Sequence, residues 1–182
     1  AKTLFGLSET YLATGDAADG FMADETMQRY MEIFGTPEFA VASNMIGSDI
    51  LEPTDPRELA VVAQWSNGTI FLYGDTMGDP EFLAQEAQPG FSIGNGDPEA
   101  TMAHEYGHQV MAFVAWDGDG NLTPEYDNFL RSITGGPRFD ELSKPELYDA
   151  MQSMASIGST YATKSPSEGF AEVFTAVTRP DY

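Results

Sequence analysis

The sequence predicts an α+β fold: a small mixed sheet packed on a helix that carries two histidines, with an acidic helix near the C-terminal end. Three observations predict it. Both histidines of this 182-residue chain fall in His104-Glu105-Tyr106-Gly107-His108, inside an apolar pattern of helical period. Two β-prone runs flank the tight-turn signal Ser66-Asn67-Gly68. Ser165-Pro166 opens an apolar stretch that carries Glu168 and Glu172.

The elements follow in order. Thr26 to Phe34 reads as a helix with Met27, Tyr30, Met31 and Phe34 on one face. Residues 44–57 are rich in Gly, Asp and Pro and read as loop. Leu59 to Trp65 and Thr69 to Tyr73 form the hairpin strands. A short helix is expected around Phe82 to Ala87 within an otherwise mixed segment. Asp97 at the N-cap and Pro98 at the first helical position announce a helix to about Trp116. Val110, Met111 and Val114 extend its apolar stripe into the core. Gly107 in mid-helix costs about 1 kcal/mol against Ala, which a close approach by a neighbouring element would explain. Leu122 to Asp140 reads as irregular, Ser143 to Ile157 as a helix, and Ser165 to Thr178 as the last helix.

The length fits one domain over 1–182, with a helical and loop portion at 1–57, a sheet portion at 58–100 and the two-histidine and acidic helices at 101–182. Hydrophobic residues make up 42%, enough for a core and against global disorder. No run of about 18 apolar residues exists, so no membrane span is expected. The first residues lack a signal-peptide pattern and an initiator Met, which reads as a processed product or an excised domain. The absence of cysteine excludes disulfides and thiolate ligands.

Eight basic residues against 29 acidic ones give a net charge of −21. Such a chain repels nucleic acid and anionic membranes. A solubilising or salt-adapted surface accounts for the charge most simply; a field that draws in basic peptides is the functional reading.

Residues four apart on a helix share a face, so His104 and His108 can aim two ring nitrogens at one metal. Glu105 can then reach a water on that metal and take its proton. This is the pattern of zinc metallopeptidases; the plain alternative is a surface helix with two satisfied histidines. Catalytic zinc needs a third protein ligand, and no third histidine exists. Residues 109–115 offer no carboxylate, and Met111 stands where a metzincin helix has Gly. Glu168 and Glu172 remain, four apart on one apolar helix. One can ligate while the other orients a ligand histidine from behind, and Glu168 is the first candidate. Glu168 also fits a capping box with Ser165, and Glu172 could face solvent. Asp117-Gly118-Asp119-Gly120-Asn121 has calcium-loop spacing, but Leu122 and Asn128 stand where such a loop needs Gly and Glu, so an acidic turn is expected.

His104-Glu105-Tyr106-Gly107-His108, then Tyr161, then Glu168-Gly169-Phe170-Ala171-Glu172-Val173-Phe174 together resemble the catalytic domains of the anthrax lethal factor-like metallopeptidases and the related Pro-Pro endopeptidases. The resemblance covers 101–110 and 159–177 and implies a zincin-like fold. It implies zinc on His104, His108 and Glu168, with Glu105 as general base. It places Tyr161, seven residues before Glu168, against the reacting oxygen. The interval from His108 to Glu168 is longer than in that family, which implies an insertion within Trp116 to Leu142 beside the cleft.

The expected function is zinc-dependent endopeptidase action on a peptide or protein substrate. The substrate would pair with the hairpin edge, with Trp65, Phe71 and Tyr73 as candidate cleft residues. The alternative is a non-catalytic zinc-binding structural or interaction domain of a larger toxin or phage assembly. A secreted or delivered effector is the expected setting.

Overall fold

The computed structural model describes residues 17–42, 63–73, 97–137, 141–152 and 159–179. The expected loop at 44–57, the expected short helix at 82–87, and the strand positions 59–62 lie outside the described residues.

A helical stretch at 17–23 leads into α1 (Glu25–Phe34), whose N-cap Asp24 accepts a hydrogen bond from the Met27 amide at 2.9 Å. Of its expected apolar face, Met27 and Met31 are buried, and Tyr30 and Phe34 pack half-buried against the same core. The chain then enters β1 (Glu38–Ala42), a strand that the sequence reading did not contain. β2 (Ala63–Ser66) and β3 (Thr69–Tyr73) are the expected hairpin. Asn67 and Gly68 both have positive φ, at 47° and 84°, as a two-residue type I′ turn requires. Ser66 is therefore the last strand residue rather than part of the turn.

The sheet has the order β1-β3-β2, with β1 parallel and β2 antiparallel to β3, so it is mixed. Among the described strands β2 is an edge. Its partners Trp65↔Ile70 and Ala63↔Leu72 share the face that Ile70 and Leu72 bury in the core.

α2 (Pro98–Ala115) is the central element, and it contacts the sheet, α1 and the helices at Pro124–Thr134 and Pro166–Thr178. Asp97 caps it by accepting from the Ala100 amide at 2.9 Å, and Pro98 sits in its first turn. Trp116 closes it by bridging to Leu122. The segment expected to be irregular folds as α3 (Pro124–Thr134). Thr123 is its N-cap and also bonds the Val114 carbonyl, which anchors the new helix to the end of α2. Tyr126, Leu130 and Ile133 bury one face of α3. α4 (Lys144–Gln152) follows, opened by Ser143, whose amide donates to Glu146 at 2.8 Å. The expected extension of α4 to Ile157 passes outside the described residues. A 3-10 turn (Tyr161–Thr163) precedes α5 (Pro166–Thr178).

Phe21, Met27, Ile70, Leu72, Met102 and Tyr106 are fully buried between these layers. Each such side chain contributes about 1.5–3 kcal/mol on leaving water. α5 runs antiparallel along α2. Arg179 at its end reaches Glu99 at 3.2 Å and Asp24 at 3.8 Å, tying the start of α2 and the cap of α1 together. Midway, a Cβ added at Gly107 would lie 3.0 Å from the Ala171 Cα and 3.3 Å from Phe174. The close approach that explains a mid-helix glycine is therefore made by α5. That contact brings the carboxylates of α5 within reach of the histidines of α2.

Candidate metal centre

His104, Glu105 and His108 project from the middle of α2, where N-cap, apolar stripe and two packed neighbours hold the backbone rigid. His104 and Glu105 are buried, and His108 is half-buried. The two imidazole rings stand 5.1 Å apart, edge to face. Glu168 enters from the first turn of α5. Its Oε2 lies 2.7 Å from His104 Nε2 and 3.4 Å from His108 Nε2.

The backbone amide of Glu168 donates to Ser165 Oγ at 3.2 Å, so the N-cap half of the capping arrangement is present. The Glu168 side chain turns toward the histidines instead of back onto Ser165. Glu172, one turn later, is 2% exposed, which removes the solvent-facing reading. Its Oε1 lies 2.8 Å from His104 Nδ1. His104 is thus gripped at both ring nitrogens by carboxylates four residues apart on α5. His108 Nδ1 instead meets Ser167 Oγ at 2.9 Å.

The electrostatics follow from this packing. Burial alone would lower the His104 pKa, but hydrogen bonds to Glu168 and Glu172 outweigh it and raise it to about 10. Burial would raise the Glu168 carboxyl, but His104 and His108 hold it well below the usual carboxylate range. Burial pushes the Glu105 carboxyl up, tempered by the two histidines.

Ligand atoms of His104, His108 and Glu168 all lie within 4.8 Å of one another, so this trio could hold a metal ion. Tetrahedral bonds of about 2.0–2.1 Å separate neighbouring donors by roughly 3.3–3.4 Å. The 3.4 Å from Glu168 to His108 is of that size, whereas the 2.7 Å from Glu168 to His104 is a hydrogen bond that a metal would have to open. Two imidazoles and one carboxylate form a borderline donor set suited to zinc. It is the one such group among the described residues. Asp117 and Asp119 do not form another. Asp117 Oδ1 accepts from the amides of Asp119 at 2.9 Å and Asn121 at 2.8 Å, so the loop is an acidic turn that closes on itself.

A cleft of about 410 Å³ opens beside the trio, lined in part by Trp65, Glu105, His108, Tyr161 and Glu168. Tyr161 stacks edge-on to His104 with ring centres 5.5 Å apart, and Lys164 lies over its ring at 4.3 Å. Met111 forms an apolar wall, backed by Tyr126 of α3, whose hydroxyl approaches its sulfur at 3.4 Å. The segment expected to be inserted thus supports the cleft. Of the three candidate cleft aromatics, Trp65 lines it. Phe71 lies on the opposite sheet face, paired with Gln64, and is not among the lining residues. The side chain of Tyr73 lies outside the described residues.

Three contacts were not anticipated from sequence. Ser167 Oγ meets His108. The Trp65 amide donates to Glu105 Oε2 at 2.8 Å. The Trp65 indole donates to Gln109 Oε1 at 3.2 Å. Ser167 and Gln109 adjoin motif residues, which is the only sequence signal they carry. No protein family, curated protein or solved structure matches the chain.

Proposed function

We propose that this chain is a zinc-dependent endopeptidase, with a zincin-like arrangement of the kind its motifs resemble. One observation carries the reading: two histidines and a glutamate converge at a cleft into which a buried glutamate from the same helix also opens. His104, His108 and Glu168 would hold the metal. Glu172 accepts the Nδ1 proton of His104 and Ser167 meets Nδ1 of His108, so each ring turns Nε2 inward.

When bound, zinc polarises a peptide carbonyl and acidifies a water molecule toward neutral pH. Glu105 takes the water proton and returns it to the leaving amine. Its Oε2 is fixed by the Trp65 amide, which sets the carboxylate plane and leaves Oε1 for the transfer. Tyr161 donates its phenol to the oxyanion at the cleft wall. A peptide lies extended along the β2 edge.

A diverse peptide library incubated with zinc-loaded protein tests this. Wild type is expected to cleave, and Glu105→Gln to keep zinc while losing about 10²–10⁴-fold in rate. Zinc bound by both forms with no cleavage by either would reduce the site to a binding centre.

A further inference from the structure

Gln109 follows His108 on α2, is buried, and uses both ends of its amide. Nε2 donates to the carbonyls of Phe34 at 3.1 Å and Gly35 at 3.0 Å. These are C-terminal carbonyls of α1, acceptors with no helical partner of their own. The Tyr106 phenol donates to the same Gly35 oxygen at 2.8 Å. A face built of carbonyls accepts only donors, so the amide has one orientation, with Oε1 turned toward β2. There it receives the Trp65 indole N–H.

The other N–H of Trp65 is held as well. In a two-residue hairpin, Ser66 and Thr69 form the closing bonded pair, so Trp65 turns its backbone N–H and carbonyl to the outer edge. That N–H donates to Glu105 Oε2. Glu105 and Gln109 are four apart and share a helix face. Two side chains of α2 therefore grip two N–H groups of one strand residue.

We propose that Gln109 is a positioning residue: it anchors Trp65 to α1 and α2, and the Trp65 main chain in turn aims the Glu105 carboxylate into the cleft. The kinetic consequence rests on the peptidase reading; the anchoring does not. An apolar side chain of similar size fills the space at Gln109 but frees the indole and takes the side-chain donor from the Phe34 carbonyl, while Gly35 keeps the Tyr106 phenol. Glutamate is isosteric, yet it sets acceptors against those carbonyls.

The test measures Gln109→Met, Gln109→Glu, Trp65→Phe and the Gln109→Met/Trp65→Phe double variant, each loaded with zinc. Gln109→Met and Trp65→Phe are expected to lower kcat per bound zinc about tenfold. KM stays within about twofold of wild type in Gln109→Met, whereas Trp65→Phe, which also changes the cleft lining, is read on kcat alone. The double variant is expected to be no slower than either single one, because both cut one chain of contacts. Gln109→Glu is expected to be slower than Gln109→Met. Hydrogen exchange at the residue-65 backbone amide, followed by NMR, is expected to quicken in Gln109→Met while zinc stoichiometry holds. Unchanged kcat and unchanged exchange would overturn the proposal. So would loss of zinc in step with kcat, or additive losses in the double variant. Should wild type cleave no peptide, the peptidase reading fails and the exchange measurement decides alone: quickened exchange supports the anchoring, and unchanged exchange overturns it.

Discussion

At the α2–α5 contact, His104 and Glu168 come from positions 64 residues apart and turn their donor atoms toward one another. In the turn after α2, Asp117, Asp119 and Asn121 are neighbours in sequence, and Asp117 turns toward its own main chain. Both clusters have the spacing of a cation site. In the turn, backbone amides already occupy the Asp117 carboxylate and hold its pKa down, and water surrounds it. At the helix contact the carboxylate of Glu168 faces ring nitrogens at a half-buried position, and His104 and His108 hold its pKa down against burial. Side-chain partners in a desolvated setting, rather than ligand spacing, separate the candidate site from the turn.

Substitutions can break or sharpen this contrast. The largest effect is expected from Glu168→Ala, which on the proposed reading removes one of three ligands and should abolish stoichiometric zinc in equilibrium dialysis. Retention of zinc there, with loss in Glu172→Ala, would reverse the roles of the two carboxylates. Glu172→Ala should weaken zinc by about 10–100-fold, the usual effect of losing the partner behind a ligand histidine. Gly107→Ala sets a helix-propensity gain of about 1 kcal/mol against overpacking of about 1–3 kcal/mol. Overpacking should win because the contacted atom is the Ala171 backbone, which cannot rotate away. The variant should therefore unfold at lower denaturant and bind zinc less tightly; equal stability would show that α5 yields freely. Asp117→Ala should leave zinc content unchanged. The smallest effect concerns charge: with −21 overall, cleavage of a cationic peptide should slow with salt more than that of a neutral one. An equal salt response would assign the charge to solubility alone.

The legible parts of the chain were those with local causes. Asp97-Pro98 and Ser165-Pro166 announce α2 and α5 because a cap and a proline act within one turn. Thr123-Pro124 carries the same signal, and Tyr126, Leu130 and Ile133 have helical spacing, yet the turn residues around them masked α3. β1 was illegible because its partner is parallel and distant: Glu38 pairs with Thr69. At the site, ligand counting pointed to the two histidines and to Glu168 and Glu172, which the structure brings together. The Trp65 amide on Glu105 did not, since a backbone donor across 40 residues leaves no mark in side-chain identity. Phe71 pairs with Gln64 on the sheet face opposite Ile70 and Leu72.

X-ray absorption at the zinc edge of the zinc-loaded protein tests the central claim most directly. One zinc per chain is expected, bound by two imidazoles and oxygen donors at about 2.0–2.2 Å, with the same imidazole count in Glu105→Gln. A shell of oxygens without imidazole, or a spectrum unchanged by Glu168→Ala, would contradict it.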